Sequence, residues 1–215
     1  INKYKGDSNP YLIGPGLDYD LGPKLDKYNA NNSFVESIIN KRNDFLDDRA
    51  SSYDFEIEHE SVYDASFLNY GTRVEDLEER AILTPHFRES QRLFISVSES
   101  IDKNYLLTIQ KKIKDEQIVI LKGPSTFIIK KKEIFIIDNA PAILATAGTG
   151  DVLSGILISL LSQGYRRLDA SILSVYLHGE AANYYMNNIS KDGMTASDLI
   201  DCIPHAFNIL RNNEE

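Results

Sequence analysis

Gln117-Ile118-Val119-Ile120-Leu121 carries no polar residue after its first position, so neither face of a strand built from it can meet water. A sheet covered by helices on both faces is the arrangement that accepts such a strand. The preceding segment supplies one cover: Ile101, Tyr105, Ile109 and Ile113, with Leu106 beside them, recur at helical period. Strand alternating with helix in this way belongs to α/β folds. Tyr11-Leu12-Ile13, Ser61-Val62-Tyr63-Asp64 and Ala81-Ile82-Leu83 read as further short strands. Thr126 to Lys130 and Glu133 to Ile137 read as a hairpin whose Lys131-Lys132 is a solvated turn. From residue 148 onward the pattern turns helical. One helix runs to about Gln163 with Gly164 as its stop, a second from Asp169 to about Asn187, and a third from Ser197 past His205. Near the start, Ser33-Phe34-Val35-Glu36 has capping-box spacing and opens a helix continued by Ile38 and Ile39, while residues 42–60 form an acidic loop.

The chain has 215 residues, 42% hydrophobic and 26% charged, enough for one substantial core; residues 1–215 are read as a single domain. A net charge of −9 argues against nucleic acid or an anionic membrane as partner and suits a small-molecule enzyme. The lone Cys202 excludes an intrachain disulfide and a cysteine-based metal cluster, and reads as buried filler. No apolar run reaches the roughly 18 residues of a membrane span, and Ile1-Asn2-Lys3-Tyr4-Lys5 has no signal-peptide core, so a cytoplasmic protein is expected.

Chemistry concentrates at Ala147-Gly148-Thr149-Gly150-Asp151, which leads into the apolar helix through Val152-Leu153-Ser154-Gly155. Two glycines flanking a threonine can turn several backbone N–H groups toward one anion, and the helix adds the positive end of its dipole. Asp151, in the first turn, is placed either to accept a proton from an attacking hydroxyl or to hold a metal-bound water. The plainer alternative is a glycine turn with an aspartate cap. Lys122-Gly123-Pro124-Ser125-Thr126 follows the buried strand, so its lysine and two hydroxyls emerge at the edge of the sheet rather than in its middle, as nucleotide-phosphate contacts or as an ordinary surface turn. Thr84-Pro85-His86 offers an imidazole on a proline-fixed turn. Asp64, at a strand end, is a substrate or metal-water contact or a capping carboxylate. Gly179, after His178, permits close helix packing, and His59 and His205 are bystanders. A Cys/His ligand cluster, Gly-x-Ser-x-Gly and Gly-x-x-x-x-Gly-Lys-Ser/Thr are all absent from the sequence, which speaks against zinc, esterase and P-loop chemistry.

Taken in order, Ile13-Gly14-Pro15-Gly16-Leu17, Asp64-Ala65-Ser66-Phe67-Leu68-Asn69, Leu83-Thr84-Pro85-His86, Leu121-Lys122-Gly123-Pro124-Ser125-Thr126 and Leu144 through Gly155 resemble the ADP/ATP-dependent NAD(P)H-hydrate dehydratase family. Val175-Tyr176-Leu177-His178-Gly179 and Thr195-Ala196-Ser197-Asp198-Leu199-Ile200, with Ile203-Pro204, are similar to its C-terminal helices. The resemblance implies a ribokinase-like three-layer α/β/α sandwich with a central, mainly parallel sheet. It implies a repair reaction in which hydrated NADH or NADPH loses water while ADP becomes AMP or ATP becomes ADP, with Mg2+ accompanying the phosphates. Carried over residue by residue, it makes Asp151 the general base and the Gly148 to Gly150 amides the stabilisers of the transferring phosphoryl group. Gly16, His86 and Asp151 become contacts to the hydrated dinucleotide. Lys122, Gly123, Pro124, Ser125, Thr126, Thr149 and Gly150 become contacts to the nucleotide donor. No residue is assigned to metal.

The chain also departs from the family pattern. Phe87-Arg88-Glu89 stands where Pro-Gly-Glu is usual, and Ala140-Pro141 where Gly-Asn is usual. The family's opening strand, glycine loop and first helices are not recognisable before Tyr11, and residues 42–60 read as an insertion. A homo-oligomer is expected, with any epimerase a separate protein. The competing readings are a ribokinase-like kinase of a vitamin precursor and a non-catalytic nucleotide-binding paralogue.

Overall fold

The computed structural model describes residues 11–13, 61–64, 67, 68 and 72–212. The helix expected from Ser33, the acidic loop at 42–60 and the Gly14-Pro15-Gly16-Leu17 motif lie outside them. Among the described residues six strands form one sheet: β1 (Tyr11–Ile13), β2 (Ser61–Tyr63), β3 (Ile82–Leu83), β4 (Ile118–Leu121), β5 (Thr126–Ile129) and β6 (Ile134–Ile137). They lie side by side in chain order, with β1 to β4 parallel and β5 and β6 antiparallel. The expected mainly parallel sheet is therefore present, with the hairpin as its antiparallel flank. Register is tight there, Val119 facing Ile129 and Phe127 facing Ile136.

Strand periodicity divides the core in two. Val62, Ile82, Ile118, Ile120, Ile128 and Ile137 point to one side, where they meet α3 (Thr149–Ser162), α4 (Arg167–Asn188) and α5 (Ala196–Asn212). Tyr63, Leu83, Val119, Leu121, Phe127, Ile129 and Ile136 point to the other, where they meet α1 (Phe87–Leu93) and α2 (Lys103–Lys112). Adjacent residues of β4 thus belong to opposite cores, as a strand buried on both faces requires. Residues 170–179 of α4 are all buried because α3 and α5 flank that helix, and an all-round apolar helix needs such cover. Cys202 is buried among the apolar side chains of the α3 to α5 side, as expected of filler.

The helix ends follow local chemistry. Asp102 caps α2 by accepting the Tyr105 N–H at 2.7 Å, and Lys111 and Lys112 face its negative end. Gly164, at φ +84°, ends α3 as expected. The hairpin lysines do more than form a solvated turn: Lys131 Nζ donates to the carbonyls of Lys111 and Ile113 at 3.0 and 2.6 Å, fastening the turn to the end of α2. Among the described residues no helix is long and apolar enough to cross a membrane.

Candidate active site at the carboxyl ends of the parallel strands

β2, β3 and β4 all deliver their following residues to one end of the sheet, which is where open α/β sheets bind ligands. Asp64, Pro85-His86 and Lys122 arrive there together. Lys122 N–H donates to the Pro85 carbonyl at 2.9 Å, and His86 and Lys122 pair as a short parallel bridge beyond the strand ends. Since β4 lies between β3 and β5, Lys122 leaves an interior strand and stands at the centre of this end. From the other side of the sheet, Gly148 opens α3 with φ +85° and ψ −11°, a conformation that glycine adopts without steric cost. These elements enclose a cavity of about 310 Å³ lined by Asp64, His86, Glu89, Lys122, Thr126, Asp151 and His178 among others.

At the cradle itself, the Thr149 N–H is bonded to the Thr146 carbonyl at 3.3 Å, whereas the N–H groups of Gly150 and Asp151 have no carbonyl partner among the described residues. The first turn of a helix leaves such donors over. Of the amides expected to form an anion cradle, the middle one is therefore committed to the loop. The Thr149 hydroxyl is committed too, lying 2.7 and 2.8 Å from the carbonyls of Leu144 and Thr146. The buried Thr149 thus shapes the loop with its side chain. Asp151 is exposed and lines the cavity from that first turn.

Lys122 Nζ lies 2.9 Å from Asp64 Oδ1, and the Asp64 side chain is only 1% exposed. The other oxygen of Asp64 accepts the Ser154 hydroxyl at 2.7 Å. A Cβ added to Gly150 would stand 3.2 Å from Lys122 Nζ, so the ammonium rests against the glycine at the start of α3. Asp64 is therefore a buried counter-charge that joins β2, β4 and α3. His178, buried in α4, lies with Nε2 2.8 Å from the Thr149 carbonyl. That oxygen can only accept, so Nε2 carries the proton. Burial pushes the imidazole down to about 4; the bond to Thr149 opposes this, and the Lys122 charge adds to it. His178 is thus a neutral support beneath the cradle.

His86 is held differently. It caps α1, its Nδ1 accepting the Glu89 N–H at 3.2 Å, while Glu89 Oε2 accepts the His86 N–H at 2.8 Å. The reciprocal bonds form a capping box and leave the proton on Nε2, 3.5 Å from Glu89 Oε1. Where the sequence suggested a proline-fixed turn with bulk behind it, the chain starts a helix. Phe87 turns inward, its ring edge-on to Tyr105 at 5.3 Å between centroids, and Arg88 is exposed. Tyr105 also meets the Ser90 hydroxyl at 2.6 Å, and burial pushes its phenol up to about 12 against the lowering effect of that bond.

The remaining donor-site candidates divide. Gly123, Pro124 and Thr126 line the cavity, whereas Ser125 is not among its lining residues and donates to Asp138 Oδ1 at 2.9 Å across the hairpin. Ala140-Pro141 line it and lead into a short 3-10 turn, Ala142–Leu144. Gly16 lies outside the described residues. Glu89, Ser154 and His178 carry no role in the sequence reading, yet each holds a cavity group in place. Ser154 had a signal: it lies one helical turn after Gly150, hence on the face that meets Lys122 and Asp64.

A family model for NAD(P)H-hydrate dehydratase, Carb_kinase, matches residues 11–205. The chain belongs to that family. Similar to it is the bifunctional NAD(P)H-hydrate repair enzyme Nnr of Vibrio cholerae, 33% identical over 150 residues, or 69% of this chain and 30% of that enzyme. The chain spans 25–35% of the length of the bifunctional relatives it matches. The ADP/ATP-dependent NAD(P)H-hydrate dehydratase of Bacillus subtilis, co-crystallised with ATP and Mg2+, superposes with a TM-score of 0.57 at 24% identity, over 71% of this chain and 55% of that one. A ribokinase-like superfamily protein of Enterococcus faecalis superposes with a TM-score of 0.62 at 20% identity, over 93% of this chain and 63% of that one. At these identities the structural likeness speaks to the fold, a ribokinase-like α/β arrangement as the motif order implied.

Proposed function

We propose that this chain dehydrates hydrated NADH and NADPH at the expense of ADP or ATP, restoring the intact dinucleotides. The observation that carries the proposal is the convergence on one cavity of a carboxylate in a helix's first turn, amides beside it with no carbonyl partner among the described residues, a lysine ammonium and an imidazole. Asp151 takes the proton of the ring hydroxyl as its oxygen attacks the terminal phosphoryl group of the donor. Lys122 and the amides of Gly150 and Asp151 stabilise the charge on that group as AMP or ADP departs. Hydroxide is a poor leaving group and phosphate a good one. The ring nitrogen's lone pair then expels phosphate, and loss of a ring proton completes the dihydronicotinamide. His86 meets the dinucleotide from the cavity wall it lines. Gly16 belongs to the same substrate contact set.

Donor phosphates bring Mg2+, whose chemistry is to neutralise charge on the departing nucleotide. Among the described residues no three His, Cys, Asp or Glu side chains converge as a metal cage. That fits an ion that keeps several waters and is held chiefly by phosphates, with Asp151 as the carboxylate at hand. An epimerase acting on the hydrated dinucleotide would supply the form this site accepts.

The direct test incubates the protein with hydrated NADH, Mg2+ and either ADP or ATP and follows the return of dihydronicotinamide absorbance. Bound nucleotide without any return would mark a non-catalytic nucleotide-binding paralogue. Asp151→Asn should lower turnover by about 100- to 10,000-fold, the range of a lost general base, while nucleotide affinity persists. Near-normal turnover would remove Asp151 from that role.

A further inference from the structure

We infer that Asp64 is a positioning residue: it aims the Lys122 ammonium at the phosphoryl group and, as a negative charge behind that lysine, trades ground-state anion affinity for turnover. This assignment rests on the proposed function. Its first support is geometric. Lys122 Nζ is 2.9 Å from Asp64 Oδ1, Ser154 Oγ is 2.7 Å from Asp64 Oδ2, and the carboxylate side chain is 1% exposed against 22% for the lysine. The pair therefore reaches the cavity through its lysine, and Asp64 stands behind it. Ser154, one turn along α3 from Gly150, fixes the carboxylate relative to the helix that presents the cradle.

The second support is electrostatic. The ammonium rests against Gly150, at the positive end of α3. Two positive centres that close repel, and a lysine side chain has four rotatable bonds through which to escape. A buried carboxylate answers both, since it cancels the repulsion and removes the rotational freedom. A site built only to bind anions would omit that negative charge, because it opposes the phosphate it lies behind. Its presence makes sense where aim at the transition state matters more than ground-state binding.

Aim and architecture predict different kinetics. In Asp64→Asn, one negative charge is gone but the neighbours remain, so ADP affinity measured by calorimetry should stay within about threefold of wild type or tighten. Turnover should fall on the order of 100-fold, the scale of an ångström-sized misplacement. Lys122→Met should lose both. Wild-type turnover in Asp64→Asn, or parallel losses of affinity and turnover as from a general loosening, would overturn the assignment. Should wild type bind ADP but return no dihydronicotinamide, the dehydratase reading fails, and binding decides the ground-state half of the assignment alone: ADP affinity in Asp64→Asn within that same band or tighter upholds it, and a larger loss overturns it. If that variant does not fold, Ser154→Ala, which spares the ion pair, should lose turnover severalfold at unchanged ADP affinity; no loss, or equal losses in both, would overturn it.

Discussion

The two faces of the sheet hold their shares of the site by different means. Gly148 to Asp151, Ser154 and His178 come from the side with three long helices, and the elements carrying them are buried on several fronts. His86 comes from the side where α1 and α2 are the described helices, both short, and is set by a capping box within four residues of chain. Groups on the first side thus take their rigidity from the core, while the imidazole opposite takes its rigidity from local hydrogen bonds. Damage to the first side should spread through the fold; damage to the second should stay near α1.

The largest expected effect is at Gly179. A Cβ there would stand 1.9 Å from the Asn139 backbone oxygen, so α4 and the segment after β6 cannot both keep their places. Overpacking of this kind costs about 3 kcal/mol, which for a domain of this size is a melting shift of about 6–12 °C. Asn139 and His178 both line the cavity, so nucleotide affinity should fall with stability in Gly179→Ala. A melt within about 2 °C of wild type would show that this side yields more easily than its burial implies.

A smaller effect on the same side depends on pH. The His178 imidazole has an ordinary value of 6.5 and is pushed down to about 4, chiefly by burial. Between those values the unfolded chain takes up a proton that the fold excludes. Stability is therefore unimpaired by this group above pH 6.5 and falls as pH drops from there toward 4. The slope is at most about 1.4 kcal/mol per pH unit. His178→Gln removes the titration while keeping a donor for the Thr149 carbonyl. Urea midpoints measured near pH 7 and near pH 5 should diverge more for wild type than for the variant, and equal divergence would sink the attribution.

The same contrast shows what could be read from sequence. The two-sided core was legible because β4 is apolar throughout and Ile101 to Ile113 keeps helical period, and both follow from burial alone. The Gly148 to Asp151 turn was legible because glycine at positive φ and a carboxylate in a first helical turn are local demands. The bonds that assemble the site were less so, since Asp64 and Lys122 are 58 positions apart and Asp64 and Ser154 are 90 apart. No local pattern announces a pair created by two parallel strands that end at the same edge of the sheet with a third between them. α1 went unread for another reason. Its cap is a histidine, outside the usual Ser, Thr, Asp or Asn signals, so Thr84-Pro85-His86 looked like a turn when its last residue begins a helix. Ser125 shows the converse, a hydroxyl in a promising motif that bonds to Asp138 across the hairpin.

The smallest expected effect tests the claim that the His86 side is locally held. Glu89→Ala removes the acceptor for the His86 N–H and half of the capping box, a loss of about 1 kcal/mol, or a melting shift of about 2–4 °C. Glu89→Gln keeps a side-chain oxygen for that N–H and should recover most of the loss. Because Phe87 and Ser90 still anchor α1 to Tyr105, neither change should disturb the Lys122 to Asp64 pair across the cavity. ADP affinity should therefore match wild type in both, while the apparent affinity for hydrated NADH weakens in Glu89→Ala, where the imidazole keeps the backbone N–H of residue 89 but loses the carboxylate 3.5 Å from its Nε2. If Glu89→Ala melts as low as Gly179→Ala, or loses ADP affinity, then His86 is tied into the core as firmly as the cradle is, and the two faces do not differ in the way argued.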